Sequence, residues 1–293
     1  MAGNDRMTQR NLLLGLLGAP IKHSASPAMH EAAAAGLGLR AFYHLIEAPG
    51  AGREDLRLML EGVRRLGFAG INVTFPYKEA VVPLLDELSP AAAAIGAVNT
   101  IVVRAGKLVG YNTDSSGFAR ALDEMGAAAS ARPVALIGAG GVGRAIAFAL
   151  AERGVPEIRI FDRDPGKAAE LVEALGMGAP ARKADAVEAA LAGAGGLVNG
   201  TPIGMLPNRD SPVPFALLRS DLWVADAVYT PLWTPLLEAA RRAGAPVMTG
   251  RELAIFQAVD AFELFSGVRP SREVVSAAFD AVVERRAAQP QAA

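Results

Sequence analysis

Short apolar runs bounded by glycine or proline alternate along the chain with longer stretches in which alanine and other apolar residues recur at helical spacing. That alternation is the pattern of βαβ units and predicts mostly parallel sheets with helices packed on them. Residues 12–17, 71–75, 134–137, 158–161, 197–198 and 222–225 read as strands. Residues 28–35, 117–125, 145–152 and 167–175 read as helices, several rich in alanine, whose small side chain allows close approach to a sheet. A last periodic helix, 252–266, sits between Gly250 and Gly267 after the strand series has ended. From 285 to 293 the periodicity fades and Pro290 intervenes, so a frayed tail is expected there.

The strand, glycine loop, helix order restarts at Val134, which places a domain boundary near residues 112–116. A chain of 293 residues is long enough for two domains, and 52% hydrophobic against 20% charged residues predicts substantial cores. Lys plus Arg number 29 against 30 Asp plus Glu, so no positive field gathers nucleic acid or anionic lipid. The absence of cysteine removes disulfides, thiolate nucleophiles and thiolate metal sites. The apolar segment 12–21 is interrupted by Gly15, Gly18 and Pro20, lacks a small-x-small cleavage site and is too short to span a bilayer. A soluble, cytoplasmic protein without nucleic-acid or membrane partners is expected, either monomer or homodimer.

The chemistry begins after the strand ending at Ile137. Gly138-Ala139-Gly140-Gly141-Val142-Gly143 fills a G-x-G-x-x-G loop between that strand and a helix. Glycines there permit a tight turn and close backbone approach, and the helix start offers free N–H groups to a pyrophosphate. The following strand leads to Asp162, the position from which a carboxylate binds both hydroxyls of an adenosine ribose. Without a ligand the same residues would make only a tight strand-to-helix turn. Asp162 favours NAD over NADP, because a carboxylate repels a 2′-phosphate, while Arg163 beside it pulls the other way.

Four polar clusters outside this loop remain to supply a substrate site. In Lys22-His23-Ser24-Ala25-Ser26-Pro27, Ser26 is either a helix N-cap before Pro27 or, with Ser24, part of a carboxylate site at a helix start. In Asn72-Val73-Thr74-Phe75-Pro76-Tyr77-Lys78, Lys78 falls in the first turn of a helix expected to begin at Pro76, where the macrodipole disfavours a cation and suits it to proton transfer. Gly96-Ala97-Val98-Asn99-Thr100 and Gly110-Tyr111-Asn112-Thr113-Asp114 each end an apolar stretch, and Asp114 either caps the next helix or serves chemistry. His23, His30 and His44 lack metal-ligand spacing, so no metal is expected, and no G-x-S-x-G elbow occurs.

Together with Asn199-Gly200-Thr201-Pro202-Ile203-Gly204-Met205 and Gln257, these ordered motifs resemble shikimate dehydrogenase and the quinate/shikimate dehydrogenases, over residues 15–270. The resemblance implies an α/β protein of two domains. Residues 1–113 would form a substrate-binding catalytic domain completed by 250–293, whose helix returns to it, and residues 114–249 a Rossmann-type doubly wound nucleotide domain. It implies Lys78 and Asp114 as the catalytic pair in a cleft, Ser24 and Ser26 on the substrate carboxylate, and Thr74, Asn99 and Gln257 around its hydroxyls. Tyr229 would touch substrate, with Thr201, Met205 and Gly250 at the nicotinamide end and Gly138, Ala139, Gly140, Gly141, Val142, Gly143, Asp162 and Arg163 on the remainder of the cofactor. The implied reaction is reversible hydride transfer between shikimate and 3-dehydroshikimate, with quinate as a further substrate.

Asp162-Arg163-Asp164 stands where NADP-using members carry Asn-Arg-Thr, and it resembles the NAD-preferring branch, as does the segment from Phe256 to Phe262. The strictly biosynthetic NADP enzyme is the alternative. A tetrahydrofolate dehydrogenase/cyclohydrolase lacks the Ser-x-Ser-Pro and Asn-Thr-Asp motifs, and a non-catalytic sensor on this fold would be expected to have lost Lys78 or Asp114.

Overall fold

The computed structural model describes residues 11–126, 132–176 and 179–288. The elements are β1 (Asn11–Gly18), α1 (Ser26–Gly36), β2 (Arg40–Glu47), α2 (Arg53–Arg65), β3 (Phe68–Val73), β4 (Glu87–Leu88), α3 (Pro90–Ile95), β5 (Thr100–Arg104), β6 (Lys107–Tyr111) and α4 (Thr113–Glu124). They continue with β7 (Val134–Ile137), α5 (Gly141–Glu152), β8 (Ile158–Phe161), α6 (Pro165–Leu175), β9 (Ala181–Lys183), α7 (Val187–Leu191), β10 (Gly196–Asn199), β11 (Trp223–Asp226), α8 (Pro235–Arg242), β12 (Val247–Met248), α9 (Gly250–Ser266) and α10 (Arg272–Ala288).

Two compact units result. The first holds residues 1–89, 98–111 and 258–293, and the second 90–97 and 112–257. Segments 90–97, 112–113 and 250–257, assigned from sequence to the first domain, therefore group with the second. Helix α9 contributes its first half to one unit and its second half to the other.

The first unit is built on a mixed sheet of order β2-β1-β3-β5-β6-β4. Strands β2, β1 and β3 run parallel, whereas β5 pairs antiparallel with both β3 and β6. Ala105 and Gly106, at φ of 47° and 77°, make the tight turn between β5 and β6. Positive φ at both central residues suits the twist of a two-residue hairpin. This antiparallel part was not foreseen in the sequence, nor were β2, β4, β9 and β12.

His30 on α1 is buried in this unit, stacked on Tyr43 at 4.9 Å and tilted against Phe262 and Phe265. Burial away from water lowers its pKa from 6.5 to about 3, so the ring folds neutral. The folded state thus binds fewer protons than the unfolded chain between those values. Stability from this group is full above pH 6.5 and is lost as pH falls, by up to ~1.4 kcal/mol per pH unit. Urea denaturation at pH 7.5 and pH 5 should show a loss of about 2 kcal/mol from this group. A His30→Phe variant should lose that much less between the two pH values, and an unchanged pH dependence in it would absolve His30.

The second unit is a parallel sheet of order β12-β11-β10-β7-β8-β9 with helices on both faces. Alternation along β7 divides its side chains. Val134 and Leu136 join Ile146 of α5, Leu171 of α6 and Phe118 of α4, while Ala135 and Ile137 join Leu191 of α7 and Leu236 of α8. Burial on both faces is why these strands read as continuous apolar runs. Order reverses beside β7, since the chain proceeds from β7 to β8 and β9 on one side and later from β10 to β11 and β12 on the other. Helix α10 extends the regular structure through Ala288, contrary to the expected fraying from 285, and residues 289–293 lie outside the described residues. Among the described residues no helix is long and apolar enough to cross a membrane.

Candidate active site

Ligands of doubly wound sheets bind beyond the carboxyl ends of the strands where strand order reverses. Here that point lies between the loops following β7 and β10. Gly138 has φ +102°, and a Cβ on it would stand 2.7 Å from Thr201 Cγ2. A Cβ on Gly143 would collide with the carbonyl oxygen of Gly138. Gly140 is the N-cap of α5, which starts at Gly141, so Val142 and Gly143 lie in the first turn with backbone N–H groups at the loop. Asp162 Oδ2 accepts from the N–H of Ala139 at 2.7 Å, and its Oδ1 accepts from the N–H of Asp164 at 2.9 Å. Arg163 is exposed beside it. Glycines that tolerate no side chain, a helix start and a carboxylate tied to the loop fit a dinucleotide.

At the other side of the reversal the loop after β10 is tightly bonded. The Thr201 hydroxyl donates to Asn199 Oδ1 at 2.7 Å, and the Leu206 N–H donates to the Thr230 carbonyl at 3.0 Å, joining the Met205 segment to that of Tyr229. Tyr229 is half-buried. Gly250 begins α9, and a Cβ on it would stand 2.6 Å from the Val228 carbonyl oxygen. The structure therefore places Gly250 against the backbone that carries Tyr229.

Asp114 and Gln257 also belong to the second unit. Asn112, not Asp114, is the N-cap of α4, its side chain accepting from the N–H groups of Asp114 and Ser115 at 3.1 Å each. The capping reading of Asp114 is thus corrected, and its carboxylate is buried in the first turn, where the helix dipole favours negative charge. One turn on, a Cβ at Gly117 would stand 2.9 Å from the Gln257 backbone nitrogen, which brings α4 and α9 close. Gln257 donates from Nε2 to the Ala254 carbonyl at 2.9 Å.

In the first unit Ser24 and Ser26 lie on the segment that follows β1, Thr74 and Lys78 on the segment that follows β3, and Asn99 just before β5, all at the end of the sheet where β1 and β3 finish side by side. Ser26 is the first residue of α1 and Ala25 its N-cap, with no side-chain cap, so the expected Ser26 cap is corrected. Ser24 Oγ accepts from the Ser26 N–H at 3.2 Å and donates to Ser26 Oγ at 3.1 Å. The Thr74 N–H donates to the Leu17 carbonyl at 2.9 Å, and the Val73 N–H to the Asn99 carbonyl at 2.8 Å. No helix begins at Pro76. Residues 75–81 form turns before a short 3-10 turn at Val82–Leu84, because Pro83 has no N–H for a longer helix. The macrodipole argument for Lys78 therefore falls away. The backbone of Lys78 is held by its carbonyl, which accepts from the Val98 N–H at 2.8 Å, and by neighbouring Tyr77, whose hydroxyl donates to the Ala48 carbonyl and accepts from the Ala51 N–H at 2.9 Å.

Residues 16–101 match the family model for the shikimate dehydrogenase substrate binding domain, and residues 133–192 match that for NADP oxidoreductase, coenzyme F420-dependent. A quinate/shikimate dehydrogenase (NAD(+)) of Corynebacterium efficiens is 43% identical over 282 residues, 93% of this chain and 99% of the relative. The chain belongs to the shikimate dehydrogenase family. A shikimate dehydrogenase (NADP(+)) of Streptomyces avermitilis is 44% identical over 271 residues, 90% of this chain and 93% of that one. The solved quinate dehydrogenase from Corynebacterium glutamicum in complex with NAD superposes with a TM-score of 0.85 at 39% identity, covering 93% of this chain and all of that one. The family resemblance read from the motifs and the two-domain α/β fold are thus borne out, and as a shikimate dehydrogenase family member the chain is an NAD(P)-dependent oxidoreductase.

Sequence reasoning gave no role to the polar residues that end the sheet strands of this family member. Asn199 and Asp226 are buried at the last positions of β10 and β11, and Thr234 is buried at the N-cap of α8. Burial pushes the Asp226 carboxyl up to about 6, against the N–H of Val228 and the side chains of Thr234 and Asn199, which favour its ionised form. In the first unit Asn72 is likewise buried, accepting from the Tyr43 hydroxyl at 2.9 Å and donating to Thr100 Oγ1 at 3.1 Å, which itself donates to Asn99 Oδ1 at 3.0 Å. The available signal was one polar residue closing or entering an otherwise apolar strand.

Proposed function

We propose that the chain catalyses reversible hydride transfer between shikimate and 3-dehydroshikimate, and accepts quinate as well, with NAD preferred over NADP. The observation carrying this reading is that the segments bearing Ser24 and Ser26, Thr74 and Lys78, and Asn99 leave or enter β1, β3 and β5 at the same end of the first sheet. Ser24 and Ser26, at the start of α1, bind the substrate carboxylate through hydroxyls and the favourable end of the helix dipole. Thr74, Asn99, Gln257 and Tyr229 bind the ring and its hydroxyls, which fixes orientation. Lys78 takes the proton of the reacting hydroxyl, and Asp114 is the second catalytic residue. The dinucleotide, when bound, accepts or delivers the hydride. Residues 138–143 and 162–163 hold its adenosine and pyrophosphate, and Thr201, Met205 and Gly250 border its nicotinamide end.

The cofactor preference rests on Asp162. Both its oxygens already accept backbone N–H groups, which fixes a carboxylate where a 2′-phosphate would have to sit. Initial rates with shikimate and with quinate, each with NAD and NADP, test the whole reading, and no turnover on either acid would end it. Asp162→Ala should lower kcat/KM for NAD by about tenfold, the loss of one charge-assisted hydrogen bond, while raising that for NADP. If NADP is the better cofactor in the wild type, the exposed Arg163 outweighs Asp162, which is the strictly biosynthetic alternative.

A further inference from the structure

Strands β10 and β11 end together, Asn199 opposite Asp226 in the parallel register. Three donors converge on the Asp226 carboxylate. Asn199 Nδ2 and the Val228 N–H reach Oδ1 at 2.9 Å each, and the Thr234 hydroxyl reaches Oδ2 at 2.7 Å. Asn199 Nδ2 also donates to the Ile203 carbonyl at 3.0 Å. Its Oδ1 accepts from the Thr201 N–H at 3.0 Å and the Thr201 hydroxyl at 2.7 Å, and the Thr201 hydroxyl oxygen accepts from the Ile203 N–H at 3.1 Å.

Direction matters in this chain of bonds. An ionised carboxylate only accepts, so Asn199 must turn its NH₂ toward Asp226 and its oxygen toward Thr201. The Thr201 hydroxyl proton then points at Asn199, leaving its oxygen to Ile203. The buried carboxylate therefore acts with the Ile203 carbonyl and the Thr201 N–H to hold the Asn199 amide in one orientation, and through Val228 and Thr234 it anchors the loop after β11 as well. None of these bonds belongs to the sheet ladder, which pairs Asn199 with Ile137 and Asp226 through the backbone. They terminate on loops beside the glycine turn, where Gly138 meets Thr201.

We propose that Asp226 is a positioning residue for hydride transfer, orienting the Asn199 amide and thereby holding Thr201 and the Met205 segment at the nicotinamide end of the dinucleotide. The assignment of that end rests on the function proposed above. Asp226 is buried beneath these loops, and it acts through Asn199.

The test uses the full-length enzyme with Asp226→Leu, Asp226→Asn and Asn199→Ala. Leucine removes every acceptor, and alanine at 199 removes the bonds to Asp226, Thr201 and Ile203 together while leaving Asp226 its other two donors. Asparagine at 226 keeps an acceptor for Asn199 and Val228 by turning its NH₂ toward the Thr234 hydroxyl. Misplacement of the nicotinamide end should lower kcat about 100-fold in Asp226→Leu and in Asn199→Ala, and Asp226→Asn should recover most of that loss. The affinity for ADP-ribose, which has no nicotinamide, should stay within about threefold of wild type in all three. The fluorescence of bound NADH or NADPH, a direct reporter of the nicotinamide environment, should shift in the first two variants.

Wild-type kcat and fluorescence in Asn199→Ala would overturn the proposal and leave the proposed function standing. So would a parallel loss of ADP-ribose binding and kcat, which marks a purely structural role. If the wild type turns over neither shikimate nor quinate, while nicotinamide fluorescence shifts in the variants with ADP-ribose affinity unchanged, the substrate reading fails and the positioning role survives.

Discussion

Lys78→Ala should lower turnover about 10³-fold while leaving dinucleotide affinity unchanged, the middle of the range for one general acid–base group. The size follows from what would remain. Ser24, Ser26, Thr74 and Asn99 offer hydroxyls and an amide, which bind a hydroxy acid but do not exchange protons readily near neutral pH. The substitution keeps the backbone bond at residue 78, whose carbonyl still accepts from the Val98 N–H. The neighbouring Tyr77 hydroxyl bonds to Ala48 and Ala51 are untouched. Dinucleotide affinity should not change, since the glycine loop belongs to the other unit. Lys78→Arg should not rescue, because a guanidinium stays protonated throughout the working range. Steady-state rates with a parallel fluorescence titration of the dinucleotide decide the matter, and wild-type turnover in the alanine variant would remove Lys78 from the chemistry.

A second substitution reaches the opposite half of the reaction. Gly143→Ala should cost at least about 100-fold in dinucleotide affinity, roughly 2.7 kcal/mol, and should also lower the thermal midpoint. The added methyl would collide with the Gly138 carbonyl oxygen and stand 2.7 Å from its carbon, so the start of α5 must move away from the loop. There is little room to move, since a Cβ on Gly200 would already lie 3.0 Å from Gly143 Cα. Overpacking of this kind typically costs about 1–3 kcal/mol of stability. Separating helix and loop also moves the free N–H groups of the helix start away from the pyrophosphate they serve. Calorimetric titration with the dinucleotide, beside a thermal melt, measures both effects, and undiminished binding would show that this loop is not the cradle.

Legibility from sequence varied with the kind of signal. Strands buried on both faces, such as Val134–Ile137 and Ile158–Phe161, announced themselves as apolar runs, and the glycine loop stood in its required context between strand and helix. Strand β2, Arg-Ala-Phe-Tyr-His-Leu-Ile-Glu, lies at the edge of its sheet, and polar residues there break both the run and the alternation. The β5–β6 hairpin turns on Ala105-Gly106, a weaker signal than Asn-Gly. Among site residues, Lys78 was found for a reason the structure does not support, a helix dipole, because a turn and a helix start share the same Pro-containing pattern. The Asp114 cap was misread because Asn112, two residues earlier, competes for the same N–H groups. The pairing of Asn199, read only as part of a motif, with Asp226 was hidden because a polar residue at a strand end looks like the beginning of a loop, and only the register shows that the two face each other.

The path of the chain through its two units constrains how this protein can be taken apart. It passes between them after Ser89, Ala97, Tyr111 and Gln257, the last time within the single helix α9. No continuous gene fragment therefore encodes either unit whole. A fragment spanning 112–257 would lack α3 and end in the middle of a helix, and one spanning 1–111 would lack α10, whose Val274 a Cβ on Gly36 of α1 would meet at 3.5 Å. Swapping nucleotide units between relatives to exchange cofactor preference would thus require at least two inserted segments and a spliced helix. For this chain, single substitutions around Asp162 are the shorter engineering route.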